Sequence, residues 1–413
     1  MNGIEIALSL FGLLLLGPFL NFAIYSFAYF PRPISPWQNP AEGVPKRSRL
    51  NQLPIFGWLT RGKRESEIFG RFYWIRPLLI ELGTPICIVL LYRYCTNGAF
   101  MPMGLPAIPF STLQHQFIAF ASLTALMTVA TFIDFDERTI PDFVTIPGTL
   151  LGLIGAVVIP DWRLHESIPP VFPALVGPTL PMQANSPFEW DATLNGSTGL
   201  MLGLIFWSGW CFGLADRRWI SRRGLPKAIE YFFERLRRSP STLFLGILWI
   251  VGLAGIITAH AMVSATQWES LLSSLFGIGL GGMLVWGFRL VARLALKQEA
   301  LGFGDVTLMA MIGSIFGWQI VWMAFFIAPI CGLIFVIISW IVTRDNSTPF
   351  GPYLCAGTLY AMLDWVRLWD WFQIYFLPPI FILPFLAVML VALGIMLWVV
   401  HRVKSSLIAT LHS

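Results

Sequence analysis

Apolar runs of roughly 20 residues, each long enough to cross a ~30 Å hydrocarbon core, recur from one end of this 413-residue chain to the other. In lipid only helices and closed barrels leave no backbone group unpaired. Unbroken apolar runs exclude a barrel, whose strands alternate lipid-facing and lumen-facing residues. Eleven helical segments are predicted, at about 4–29, 77–95, 113–133, 143–160, 194–215, 241–263, 271–294, 306–317, 319–343, 351–364 and 374–400. Only 12% of the residues are charged, against roughly 25% in soluble domains. The expected fold class is therefore all-α, a polytopic membrane helix bundle of 10–11 helical segments. The first run has neither a basic n-region nor a small-residue cleavage site, so it reads as a retained span and not as a signal peptide.

Charge sets the expected orientation. Nine lysines and arginines fall in 31–76 and eight in 216–240, and alternating crossings place 24 of the 27 on one side. By the positive-inside bias that side is cytoplasmic, with the N-terminus outside and the C-terminus cytoplasmic. The net charge of +5 is then a matter of orientation and of contact with anionic membrane lipid, not of nucleic-acid binding. The 161–193 stretch, rich in Pro and Asn with charges of both signs, reads as an irregular outer loop.

Two acids stand where apolar runs meet short polar stretches. Asp134 lies in Ile133-Asp134-Phe135-Asp136, followed by Ile140-Pro141-Asp142, and Asp305 closes Gly302-Phe303-Gly304-Asp305. A carboxylate at a membrane boundary is costly to keep and is a functional candidate by default. Gly302 and Gly304 put flexible backbone beside an acid at a helix start, where the macrodipole favours negative charge. Helix capping is the competing reading for Asp305 and for Asp142. By the crossing count both motifs face the same side. The spacing Gly277-Ile278-Gly279-Leu280-Gly281-Gly282 lies inside an apolar helix with no preceding strand, so a nucleotide loop is rejected. Gly277-x-x-x-Gly281, Gly148-x-x-x-Gly152 and Gly313-x-x-x-Gly317 instead mark close helix contacts, and the spaced glycines shared by 194–215 and 271–294 read first as helices packed through small residues and second as a weak internal duplication. Five cysteines without paired spacing read as small buried apolar residues, and the histidines show no metal-ligand spacing.

These motifs resemble the prepilin peptidases, the type IV leader peptidases. The two aspartate motifs occur in that family's order. Pro349-Phe350-Gly351-Pro352-Tyr353-Leu354 is similar to the start of one of its late helices, and Gly17-Pro18-Phe19-Leu20-Asn21 with Gln52-Leu53-Pro54-Ile55-Phe56-Gly57-Trp58-Leu59 resembles its leading domain. The resemblance implies a leading domain over 1–95 with its basic loop at 31–76, a peptidase core over 113–365 carrying an insertion at about 161–268, and a C-terminal helix and tail at 374–413. It makes Asp134 and Asp305 the catalytic pair, with Asp136, Asp142, Gly302 and Gly304 supporting. The implied reaction removes the short basic leader of type IV prepilin or type II secretion pseudopilin precursors at the cytoplasmic face of the bacterial inner membrane, with no cofactor for the peptidase step. It also implies methylation of the new N-terminus by S-adenosylmethionine, an activity ascribed to the leading domain. Family members often carry two Cys-x-x-Cys pairs in the first loop, whereas 31–76 has no cysteine, so no zinc is expected. The basic loops are read first as lipid-facing signals, and then, at Arg47 and Arg49, as a surface for an acidic position of the precursor. Presenilin-like proteases share Gly-x-Gly-Asp, but not the Ile-Pro-Asp companion. A proton-coupled transporter and an inactive scaffold of the same fold are the alternatives.

Overall fold

The computed structural model describes residues 3–40, 46–61, 65–98, 108–166, 180–215, 240–296, 301–343 and 349–373, with 387, 388 and 391. In chain order the helices are α1 (Gly3–Ser26, with a π-helical turn at Gly12–Leu16), α2 (Phe56–Arg61), α3 (Ser66–Phe69), α4 (Ile75–Thr96), α5 (Phe110–Glu137), α6 (Asp142–Val158), α7 (Ser197–Leu214), α8 (Pro240–Met262), α9 (Ala265–Leu296), α10 (Phe303–Phe316), α11 (Trp318–Thr343), α12 (Gly351–Leu363) and α13 (Trp365–Phe372). Two-residue strands β1 (His165–Glu166) and β2 (Leu180–Pro181) pair with each other.

Among the described residues seven helices are long and apolar enough to cross a membrane, and α6 and α10 are shorter apolar helices. The chain is thus an all-α, multi-pass membrane protein. Every predicted segment up to residue 364 is a helix, while 374–400 lies almost wholly outside the described residues. The short helices α2, α3 and α13 were not predicted, because four to eight residues carry too little periodicity to read. The chain divides into two compact units, one of residues 1–148, 164–180 and 323–372, the other of 149–163, 181–322 and 373–413.

In the first unit α1, α4, α5 and α12 pack together. A Cβ on Gly12 would stand 2.8 Å from Pro85 Cα, and one on Gly17 3.0 Å from Glu81 Cα, so α1 approaches α4 at a distance only glycine allows. Asn21 of α1 donates to the carbonyl of Pro77 and to Glu81 Oε1, at 2.9 and 3.1 Å.

The described parts of 31–76 are tied together at the buried carboxylate of Glu65. Glu65 accepts from Arg61 at 2.6 and 2.8 Å and from Arg47 at 3.3 Å. Arg47 also donates to the carbonyls of Pro33, Ser35 and Gln38, and Arg61 to that of Ile34. The Arg61 guanidinium lies 4.9 Å from the centre of the Trp58 ring. Burial works to raise the Glu65 carboxyl, but the hydrogen bonds and charges of Arg61 and Arg47 outweigh it and hold the group below its usual range. Arg47, a docking candidate on sequence grounds, is an internal tie whose side chain is only 3% exposed.

The second unit is organised by glycine. A Cβ on Gly277 of α9 would fall 1.9 Å from the carbonyl oxygen of Gly313 on α10, so those two helices meet backbone to backbone. Gly203 of α7 lies against Leu275, Phe206 covers Gly279, and Gly152 abuts Ser314. From Asp305 to Phe316 every residue of α10 is buried, which fits a helix apolar on all sides. It stops at Gly317, whose φ of 89° few other residues adopt.

The described part of 161–193 is more than a surface loop. Trp162 fills the space over Gly155. Arg163 is buried and donates to Ser270, Ser274 and the carbonyl of Met182, at 3.2, 2.7 and 3.4 Å. Burial pushes its guanidinium down to about 9. Trp318 and Gln319 donate to the carbonyls of Ala184 and Gln183, each at 2.7 Å. Of the five cysteines, Cys95, Cys211 and Cys355 are buried as expected, whereas Cys87 is exposed and Cys331 half-buried.

Because the Glu65 carboxyl is depressed in the folded chain, its contribution is complete above the unfolded value of 4.5 and is lost as pH falls through the folded value below it. Hydrogen exchange around Arg47, Arg61 and Glu65 is expected to stay slow down to pH 4.5 and to accelerate in more acid solution. Glu65→Gln leaves two buried arginines without their anion and should loosen the segment at neutral pH by about 3–5 kcal/mol.

Candidate active site

The last turn of α5 carries three carboxylates, each bonded to a different part of the first unit. Asp134 is buried, and its Oδ2 accepts the backbone N–H of Gly351, the first residue of α12, at 3.1 Å. The first N–H groups of a helix have no partner within it, so Asp134 serves as a cap supplied from another helix. A Cβ at position 351 would lie 2.4 Å from Asp134 Oδ2 and 2.9 Å from Ile140 Cδ1. The structure thus brings together the first aspartate motif, its Ile-Pro companion and the Pro349–Leu354 segment.

Two residues on, Asp136 is gripped by two arginines. Arg76 donates to both of its oxygens at 2.8 Å, and Arg32 bonds Oδ2 as well. Arg76 also donates to the Tyr25 hydroxyl and lies over the Phe132 ring. Glu137 accepts the backbone N–H groups of Tyr29 and Phe30, at 2.8 and 2.9 Å. Arg138 then ends the helix in the left-handed region, φ 57°. Asp136 thus anchors the turn of α5 that also bears Asp134. Arg32, Arg76 and Glu137 were invisible as partners from sequence, where the two arginines counted only as topology signals. Asp142 opens α6 and is exposed.

Asp305 belongs to the second unit. It stands at the third position of α10, not at the cap as the competing sequence reading had it, because Gly302 occupies the cap. Its Oδ2 accepts the N–H of Gly302 at 3.0 Å, and Thr307 donates to the carbonyl of Gly304 at 3.0 Å. Arg289 closes the approach to this turn by donating to the carbonyl of Leu301, at 3.0 Å, and its guanidinium lies over the Phe303 ring. An apolar cavity of about 300 Å³ adjoins the same helix, lined by Phe303, Val306, Thr307 and Ala310 of α10 and by Trp210 and Trp286.

Fold and site together define a multi-pass membrane protein with two buried aspartates, each fixed by a backbone donor at the start of a short helix. Residues 240–337 match the type IV leader peptidase family. That span includes Asp305 and the two preceding glycines, while Asp134, Asp136 and Asp142 precede it. The chain is similar to prepilin leader peptidase/N-methyltransferase of Pseudomonas aeruginosa, at 33% identity over 127 residues, 30% of this chain and 41% of the relative. The protein of the same name in Escherichia coli is 30% identical over 141 residues, 32% of this chain and 57% of the relative. The one in Legionella pneumophila is 26% identical over 202 residues, 47% and 66%. The matches thus span about two fifths to two thirds of these relatives' length. No solved structure matches the chain.

Gly351→Ala places a methyl group on the Asp134 carboxylate. It should lower stability by about 1–3 kcal/mol, as overpacking does, and thermal unfolding in detergent would register it. A melting temperature equal to that of the parent would contradict the close contact.

Proposed function

We propose that this protein is a membrane aspartic endopeptidase that removes the short basic leader from type IV prepilin or type II secretion pseudopilin precursors. The reading is carried by one observation, that the Gly302–Asp305 turn falls inside the segment matching the type IV leader peptidase family. The relatives' names, each of them a prepilin leader peptidase, agree with it.

In this reading Asp134 and Asp305 work as a pair. Two carboxyls a few ångströms apart cannot both ionise, so one keeps a proton. The ionised partner takes a proton from the attacking water. The protonated one donates to the oxygen of the scissile carbonyl as it gains charge, and a proton then passes to the departing amine. Which acid plays which part is not a property of either residue, since a coupled pair titrates as a pair. The backbone bonds from Gly351 to Asp134 and from Gly302 to Asp305 support such a role by fixing each carboxylate before substrate arrives. The apolar wall of α10 beside Asp305 offers the surface that the precursor's hydrophobic segment needs just beyond the cut. The positive-inside bias of the basic loops supports a reaction at the cytoplasmic face, and the membrane of this reading is the bacterial inner membrane. S-adenosylmethionine enters only as the co-substrate of a second activity, methylation of the new N-terminus.

Co-expression with a leader-bearing precursor, followed by intact-mass measurement, tests the reading. Wild-type protein should remove the leader. Asp134→Asn and Asp305→Asn should each lower cleavage by at least about a hundredfold while inserting normally, and near-parental turnover by either variant would remove that residue from the pair. A product heavier by one methyl group would add the transferase activity. A product of leader loss alone would leave the peptidase by itself.

A further inference from the structure

Between α1 and α4 the chain makes a 3-10 turn at Arg49–Gln52 and then helix α2. The depth of this element is set by a bond into α4. Ile55 N donates to Glu81 Oε2 at 2.7 Å, and the other oxygen of Glu81 accepts from Asn21 of α1 at 3.1 Å. Glu81 lies six residues in from Ile75 at the start of α4, and Asn21 five residues short of Ser26 at the end of α1. At about 1.5 Å per residue, the attachment stands roughly 8–9 Å inside the ends of two membrane-length helices. An element held there lies at the level of the outer acyl chains, the depth at which amphipathic interfacial helices settle.

Its surface suits that depth. Ile55 has φ 60°, a costly conformation for a β-branched residue, and its tie to Glu81 holds it there. The turn sends Trp58 and Arg61 inward, both buried, and leaves Leu50, Leu53, Phe56 and Leu59 between 46% and 68% exposed. No acid occurs from residue 49 to 61, and Lys46 and Arg49 are exposed at the leading edge. An apolar face with a basic border matches a bilayer leaflet containing anionic lipid.

We propose that residues 49–61 form an interfacial anchor seated in the leaflet, with Leu50, Leu53, Phe56 and Leu59 against acyl chains and Lys46 and Arg49 at anionic headgroups. The proposal does not depend on the peptidase reading.

The photo-cross-linking residue p-benzoylphenylalanine, placed at position 56, 59 or 90 of the full chain in nanodiscs of phosphatidylethanolamine and phosphatidylglycerol, tests it by adduct mass. Leu90, 59% exposed on α4, is the lipid-facing reference. Phospholipid adducts at 56 and 59 in yields comparable to position 90 are expected. Adducts to a second protein chain, or none at 56 and 59 while 90 labels lipid, would overturn the anchor. Glu81→Leu should lower the lipid adduct at 56 severalfold without changing that at 90. An unchanged yield at 56 would show that Glu81 does not set the depth.

Discussion

The bond from Gly351 N to Asp134 is the contact on which the first unit's site depends. It needs a helix start with unused donors, a carboxylate arriving from a different helix, and a residue without a side chain between them. Since an unpaired buried backbone donor costs about 1–3 kcal/mol, α12 cannot seat itself away from Asp134 without losing that amount or finding another acceptor. Asp136 and Glu137 complete the arrangement by drawing Arg76 of α4 and the chain after α1 onto the same turn. Four stretches distant in sequence thereby meet at one helical turn, so the position of Asp134 is fixed by the fold and not by its own rotamer alone.

Most of this architecture was legible in the sequence. Spans α4 through α12 follow from the length and spacing of apolar runs, and the break at Gly317 from a glycine between two such runs. Both aspartates were found, because acids are rare in chains of this composition and glycine and proline mark their turns. The partners could not be found. Arg32, Arg76, Glu137 and Gly351 act on residues 60 to 217 positions away, and no local pattern reports a contact at that separation. The inward packing of Arg163 escaped for the opposite reason. Its neighbours look like loop residues, and only the serines at 270 and 274, one turn apart on α9, show that an arginine could be buried against them.

The family match also has a physical basis in the chain's layout. It begins at Pro240 and ends within α11, and so takes in the second aspartate motif without the first. The sequence separates Asp134 from Asp305 by 171 positions, and α6 to α9 lie between them. Two further helices can be added without changing which side of a membrane the following segment faces, whereas one cannot.

The carboxylate of Glu65 has a consequence for how the 31–76 segment comes to maturity. A loop closed by cysteines would have to wait for a metal and be protected from oxidants. One tied by Arg47, Arg61 and Glu65 takes these three side chains from its own chain. Buried ion pairs are little screened by salt, so the bonds from Arg47 and Arg61 to Glu65 should hold over ordinary changes in ionic strength.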